Sequence, residues 1–529
     1  MLAPAAAQAA LTLSTSNRLD DRRYVASGTR GYVVGSEAGR FPASGWHIRG
    51  EMGGVWTPPL KLLDGIWFGI DGDWAGPATR FTSGFGYTRM DLPGSKGLVL
   101  TRTDFVPDGP RAALFGLTLR STGGRQTPTV TVDAHSELMG AYPWGWTTPN
   151  ATSFNQQDTA AAADGRLVFS EQRGWTAVVG AREQPLDAVT GPGFRGPQEP
   201  PVICPMDGPA PPRCDDSAAG KGVGGRLRDR LDIPARGTKT LWIAVAGSEH
   251  GATPAIEAQQ AALADPDDAL AEKIASRESI AARTQVDLPD DRLLQQGIEW
   301  SKQNLADSVH VAQDLQVRWT NEGRQYPEPL GVVPSVRFFG AGFPDYPWLF
   351  ATDGEFTAFA AVAAGQFDPI ADHLRALRDV SVLVNPSSGK VVHEVVTDGS
   401  GREDDLHPQH RGHGGGRGQL LGGWAQRSSS ASRPPTGASS CRIRTSSPAP
   451  CPRSRRPRTT AGRSRRPSTT APWSSRSGAP TARSGRWCTS SSACGPTWAG
   501  APSRSCRRCL WVSRAWPART SGSRRERWT

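Results

Sequence analysis

The chain has 529 residues and a formal charge of +11, but residues 401–529 alone hold 25 Arg, no Lys and only four acidic residues, leaving 36 basic and 46 acidic residues in 1–400. The acidic body excludes reading the whole chain as a nucleic-acid binder from its net charge. No run of 18 apolar residues occurs, so no membrane-spanning helix is predicted.

In chain order, residues 1–19 contain Ala7-Gln8-Ala9, the small-x-small pattern of a signal-peptidase site, with little apolar sequence before it. They read as the remnant of an export signal, or as an Ala-rich disordered start. The first reading places the protein outside the cytoplasm, secreted or periplasmic; the second leaves it cytoplasmic.

Residues 20–250 predict β structure. Gly97 to Phe105, Ala113 to Arg120, Thr127 to Ala134, Trp175 to Val179 and Thr240 to Ala246 alternate or run apolar over strand lengths between Gly, Pro and Asp turns. Many strands with few helices between them predict an antiparallel sandwich. Cys204 and Cys214 close a short Pro/Gly-rich loop, a disulfide candidate in an exported chain. Two thiols without a nearby His or second Cys pair do not make a zinc site.

Residues 251–330 predict a helical connector, with Leu294, Ile298, Trp300 and Leu305 on one broad face after the start signals Pro289 and Asp290. Residues 331–400 predict a helical hairpin. Phe356 to Ala364 is apolar on nearly all sides and should be buried, Gly365 stops it, and Asp368-Pro369 opens a helix with Ile370, Leu374, Leu377, Val380 and Val384 on its apolar face. Just before the first helix, Tyr346, Trp348, Asp353 and Glu355 lie close together. Aromatic faces stack on sugar C–H groups and carboxylates accept from sugar hydroxyls; the alternative is that the carboxylates only cap the first turn and the aromatics are core.

Residues 401–529 lack Phe, Tyr, Asn, Met and Lys yet hold seven Trp and six Cys. The missing residues have A/T-rich codons, which fits GC-rich DNA translated out of frame after a frameshift near residue 400. An Arg/Ser-rich RNA-binding tail and an unrelated disordered extension are the alternatives.

The segment YPWLFATDGEFTAFAAVAAGQFDPIADHLRALR (346–378) resembles the first helical pair of the six-hairpin glycosidases, specifically bacterial glycogen-debranching (amylo-alpha-1,6-glucosidase-like) proteins. GEMGGVWTPPLKLLDGIWFGIDG (50–72) and RAALFGLTLRST (111–122) resemble the β-supersandwich of such proteins. The resemblance implies an N-terminal antiparallel β-supersandwich, then the start of an incomplete (α/α)6 barrel and a disordered basic tail. It implies inverting hydrolysis of α-glucans or related oligosaccharides, with no cofactor and no nucleic-acid partner. Relatives carry an Arg-Asp pair that grips the non-reducing sugar where this chain has Asp353-Gly354-Glu355, which implies substrate binding by Asp353 and Glu355 with Trp348 in support. GKVVHEVVTDG (389–399) resembles the cleft-rim loop, which puts His393 and Glu394 near substrate, with Asp398 beside them. The general acid and base are expected in segments after Gly399, where the composition changes, so the catalytic residues stay unassigned. Two other readings stand beside a debranching-type hydrolase inactive as written. One is a non-catalytic carbohydrate-binding protein. The other is a basic nucleic-acid binder acting through the tail. Asp71-Gly-Asp73 and Asp398 to Asp404 lack the full ligand spacing of a calcium loop, and no metal is predicted.

Overall fold

The computed structural model describes residues 12–42, 52–140, 156–198, 222–319, 328–343 and 346–401. The strand segments named above are strands: Leu98–Phe105, Ala112–Ser121, Thr129–Gly140, Thr176–Ala181 and Thr238–Ser248. The third runs well beyond Ala134, a continuation hidden in the sequence by register shifts at His135/Ser136 and Ser136/Met139 that break the alternation on which periodicity depends.

Among the described residues there are three sheets. The nine-stranded sheet has Ala112–Ser121 and Thr238–Ser248 paired antiparallel at its centre, and the eight-stranded sheet is built around Leu60–Ile70 and Thr129–Gly140. Their inner faces share one core, with Leu62, Ile66, Phe68, Val130 and Val132 from one sheet and Phe115, Leu117, Val179, Ile243 and Val245 from the other. The outer face of the nine-stranded sheet is covered as well. Helices α1 (Ala252–Ala262) and α2 (Pro266–Ala281) lay Ala262, Leu263, Ala269 and Leu270 on Phe105, Leu114, Ala244 and Ala246. Burial on both faces explains why these strands read as apolar runs.

Asp265 caps α2 by accepting from the Asp268 N–H at 3.0 Å, with Pro266 in the first turn. Helix α3 (Arg292–Asp307) is capped by Asp291, which accepts from the Leu294 N–H at 2.9 Å. Of the face predicted for it, Ile298, Trp300 and Leu305 are half-buried, Trp300 edge-on to Phe85 at 5.1 Å, and Leu294 is exposed. Leu293 is exposed too, while Lys302, Gln303 and Ala306 are buried, Lys302 Nζ donating to the Ala281 and Arg283 carbonyls.

The fold expected beyond this point is corrected. No incomplete (α/α)6 barrel is evident among the described residues. A five-stranded sheet follows instead, ordered Glu394–Val395, Trp348–Phe350, Gly331–Ala341, Val309–Trp319 and Ser400–Gly401. Two helices accompany it, α4 (Ala351–Ala363) and α5 (Phe367–Val384). The physical reason lies in Val309, Val311, Leu315, Val317 and Trp319, whose near-alternate placement with β-branched residues suits a strand. The apolar face of α5 then lies on that sheet, Leu377, Val380 and Val384 packing with Val317, Val333, Val336 and Phe338. Gly365, at φ 72°, ends α4 with the Gln366 N–H donating to the Ala361 carbonyl, a left-handed cap that favours glycine.

The buried expectation for Phe356 to Ala364 is also corrected. Phe356 is 71% and Phe359 62% exposed. Helix α4 begins at Ala351, so its buried positions are Ala351, Gly354 and Ala361, and the two rings fall on its outer face.

Candidate functional site

The short strand Trp348–Phe350 organises the residues singled out in the sequence. It pairs antiparallel with Gly331–Ala341 on one side and with Glu394–Val395 on the other, Phe350 standing opposite Glu394. Phe350 is also the extended residue that precedes α4, and the Ala351 N–H donates to the His393 carbonyl at 2.9 Å. One strand therefore brings the His393-Glu394 segment to the start of α4, whose first turn carries Asp353 and whose second opens with Glu355. Asp353 lies where a helix N-terminus favours negative charge.

The aromatic residues sit below this junction. Trp348 and Phe350 are stacked at 5.8 Å and 16°, and Tyr346 meets them edge-on at 5.7 and 6.2 Å. With Val396 they form a small core, so Trp348 supports the site from beneath and offers no open face to a sugar. His393 is exposed, stands edge-on to Phe350 at 6.0 Å and has Nε2 3.8 Å from Glu394 Oε2. Glu394 and Glu355 are half-buried and Asp353 is exposed. Tyr346, Trp348, Asp353, Glu355, His393 and Glu394 are thus gathered around one strand. Cys204 and Cys214 lie outside the described residues.

Sequence reasoning missed three contributors. Phe356 and Phe359 follow Asp353 and Glu355 at helical spacings of three and four and are the exposed rings nearest the carboxylates in sequence. His373, on α5, is buried behind Gly354, and a Cβ built on Gly354 would overlap its ring. The available signal was Gly354 itself, since a glycine in a helix costs about 1 kcal/mol relative to Ala and so marks a close approach.

A buried histidine lies next to the site. His310 is packed against Tyr32, Phe338 and Phe343 at 6.1, 6.3 and 5.3 Å, and neither ring nitrogen has a hydrogen-bond partner among the described residues. Burial holds its pKa down at about 4, so it is neutral at pH 7. His373 is likewise held at about 4 by burial, with the Phe350 backbone pulling the other way.

Among the described residues no group of three or more His, Cys, Asp or Glu side chains is gathered as a metal ion would require. Asp71 ties its turn to the start of the strand Thr129–Gly140, accepting from the Thr129 N–H, and Asp398 closes a local turn, accepting from the Ser400 N–H, each at 2.8 Å.

No family model and no curated protein matches the chain. Among solved structures, the chain is similar to a candidate kojibiose phosphorylase from the human microbiome, at 8% identity and TM-score 0.37, over 74% of this chain and 45% of that one. A bacterial glucoamylase in complex with acarbose is similar at 9% identity and TM-score 0.37, over 75% of this chain and 53% of that one. A family GH92 alpha-mannosidase from Bacteroides thetaiotaomicron, in complex with mannoimidazole, is similar at 12% identity and TM-score 0.20, over 56% and 32%. The chain spans about half the length of the first two proteins. Likenesses of this size carry no argument about its reaction.

Proposed function

We propose that the chain is a glycoside-hydrolase-like protein that recognises oligosaccharides of the α-glucan kind through the junction of Trp348–Phe350, the first turn of α4 and the His393-Glu394 strand. The observation that carries the reading is the placement of Phe350. It precedes the helix bearing Asp353 and Glu355 and pairs with Glu394, so the segments that carry these carboxylates, distant in sequence, adjoin one strand. The sequence resemblance of 346–378 and 389–399 to glycogen-debranching proteins supports the sugar as ligand. In this reading Asp353, Glu355 and Glu394 accept from sugar hydroxyls, His393 lines the rim, and Phe356 offers an apolar face to ring C–H groups.

Inverting hydrolysis needs a protonated acid and an ionised base roughly 6.5–9.5 Å apart with a water between them. The resemblance places both in segments after Gly399, where the chain turns Arg-rich and loses Lys, Asn, Phe, Tyr and Met. The chain as written is therefore expected to bind α-glucosides without measurable turnover. Each missing acid or base removes on the order of 10²–10⁴ in rate.

Calorimetric titration with maltotriose tests the reading. Saturable binding by the wild-type chain, lost in Asp353→Asn and Glu355→Gln, is the expected result. No binding, or binding indifferent to both substitutions, rules it out.

A further inference from the structure

The Asp353-Gly354-Glu355 turn rests on one buried imidazole. His373 reaches from α5 with Nδ1 accepting from the Phe339 N–H at 3.2 Å, which fixes the neutral tautomer with its proton on Nε2. That Nε2 edge faces the α4 backbone. A Cβ built on Gly354 would overlap Nε2 and Cε1 and stand 2.8 Å from Cδ2, so no side chain fits there. His373 is 2% exposed and lies between the strand Gly331–Ala341, the Phe350 backbone and the second helical position beyond Asp353's neighbour Thr352.

Successive helix residues are about 100° apart around the axis. With Gly354 pressed inward on His373, Asp353 and Glu355 must point to either side of that inward direction, and Asp353 is indeed exposed and Glu355 half-buried. We propose that His373 is the positioning residue of the candidate site: by touching Gly354 and holding Phe339, it sets the rotation of the first turn of α4 and with it the directions of the two carboxylates. The proposal rests on the sugar-recognition reading above.

Maltotriose affinity and thermal unfolding are measured side by side on the full-length chain. The variants are Gly354→Ala, His373→Ala, His373→Gln and the Gly354→Ala/His373→Ala double variant. We expect each of the two Ala variants to weaken maltotriose binding about tenfold, and the double variant, where the added methyl enters the space the imidazole left, to be no worse than the weaker single. His373→Gln keeps an acceptor for the Phe339 N–H and should retain most of the affinity. Additive losses, or single variants that unfold at lower temperature with affinity unchanged, overturn the proposal and leave His373 a packing residue. If Gly354→Ala does not fold, the contrast of His373→Ala with His373→Gln decides, and equal affinity in these two overturns the proposal. Wild-type protein that binds no maltotriose overturns the sugar reading and the positioning role together. Wild-type binding with insensitive variants overturns the positioning role alone.

Discussion

The sandwich and the sheet-and-helix region after Ser308 treat polar and apolar surface in opposite ways. In the sandwich even charged groups are buried and paired. Arg102 donates to both Asp104 oxygens at 2.7 Å, Tyr24 donates to the same carboxylate at 2.6 Å, and the guanidinium lies 5.2–5.6 Å from the rings of Phe41, Phe68 and Phe115. Asp64 is held well below the usual carboxylate range: burial opposes its charge, but Lys61, His135 and Arg195, at 3.3, 3.1 and 2.9 Å, together outweigh it. Beyond Ser308 a buried core remains, but large aromatic groups also come to the surface. The exposed aromatic rings among the described residues, Phe356, Phe359 and Phe367, all belong to α4 and α5. The sandwich has closed over its buried ion pairs, whereas α4 and α5 leave three aromatic rings outward, as the proposed sugar recognition requires.

The sharpest way to break this comparison is to unpair a sandwich charge. Arg102→Met leaves Asp104, fully buried, without its cation, and should cost about 3–5 kcal/mol of stability in a urea titration. A loss below ~1 kcal/mol would show that the triad is not what closes that core.

The two regions should also answer pH in opposite directions. Asp158 bridges the sandwich, accepting from the Ser136 hydroxyl at 2.6 Å and the Leu138 N–H at 3.0 Å. Burial, with smaller pushes from Glu171 and Asp64, raises its pKa to about 7, against the hydrogen bonds from Ser136 and Leu138. Between the unfolded value near 3.8 and about 7 the folded state binds the extra proton, so this group's stabilisation is full in acid and is lost as pH rises through 7, at up to ~1.4 kcal/mol per unit. His310 and His373 work the other way. Their folded pKa values, lowered by burial to about 4 from 6.5, make the unfolded state the better proton acceptor, so stability present above 6.5 is lost as pH falls from there toward 4. Residue-resolved hydrogen exchange at pH 5 and pH 8 should show strands 309–341 losing protection first in acid and the Asp158 surroundings losing it first in base. Asp158→Asn should shrink the basic limb to the part owed to Asp229, whose pKa burial and Glu183 raise to about 6, and a limb unchanged by the substitution would show that Asp158 is not its source.

The smallest expected effect is at α4. Phe356→Ser should change stability by no more than ~0.5 kcal/mol, because the ring is exposed, while weakening maltotriose binding. A large stability loss with unchanged binding would make the ring structural and erase the contrast with the sandwich.

Much of the sandwich was legible because half-buried strands alternate and strands buried on both faces run apolar. Its continuation past Ala134 was not, since the polar run His135-Ser136-Glu137 at two register shifts mimics a strand end. After Ser308 the expectation failed more broadly. The helical connector was carried too far along the chain, to residue 330, so the strand Val309–Trp319 was missed, and with it the surface on which α5 lies. The early start of α4 was hidden because Phe350 precedes it without a side-chain cap, leaving no Ser, Thr, Asp or Asn to mark the boundary. The candidate residues themselves were legible as a cluster. Trp348 takes the core place that the alternative reading gave the aromatics, whereas the exposed rings Phe356 and Phe359 are those that apolar composition had assigned to a core.

The measurement that decides the functional reading is hydrogen exchange of the full-length chain with and without saturating maltotriose. Protection confined to residues 346–357 and 392–396, and absent in Asp353→Asn, is the result the reading requires. Protection centred on the sandwich strands, or none at any maltotriose concentration, would contradict it.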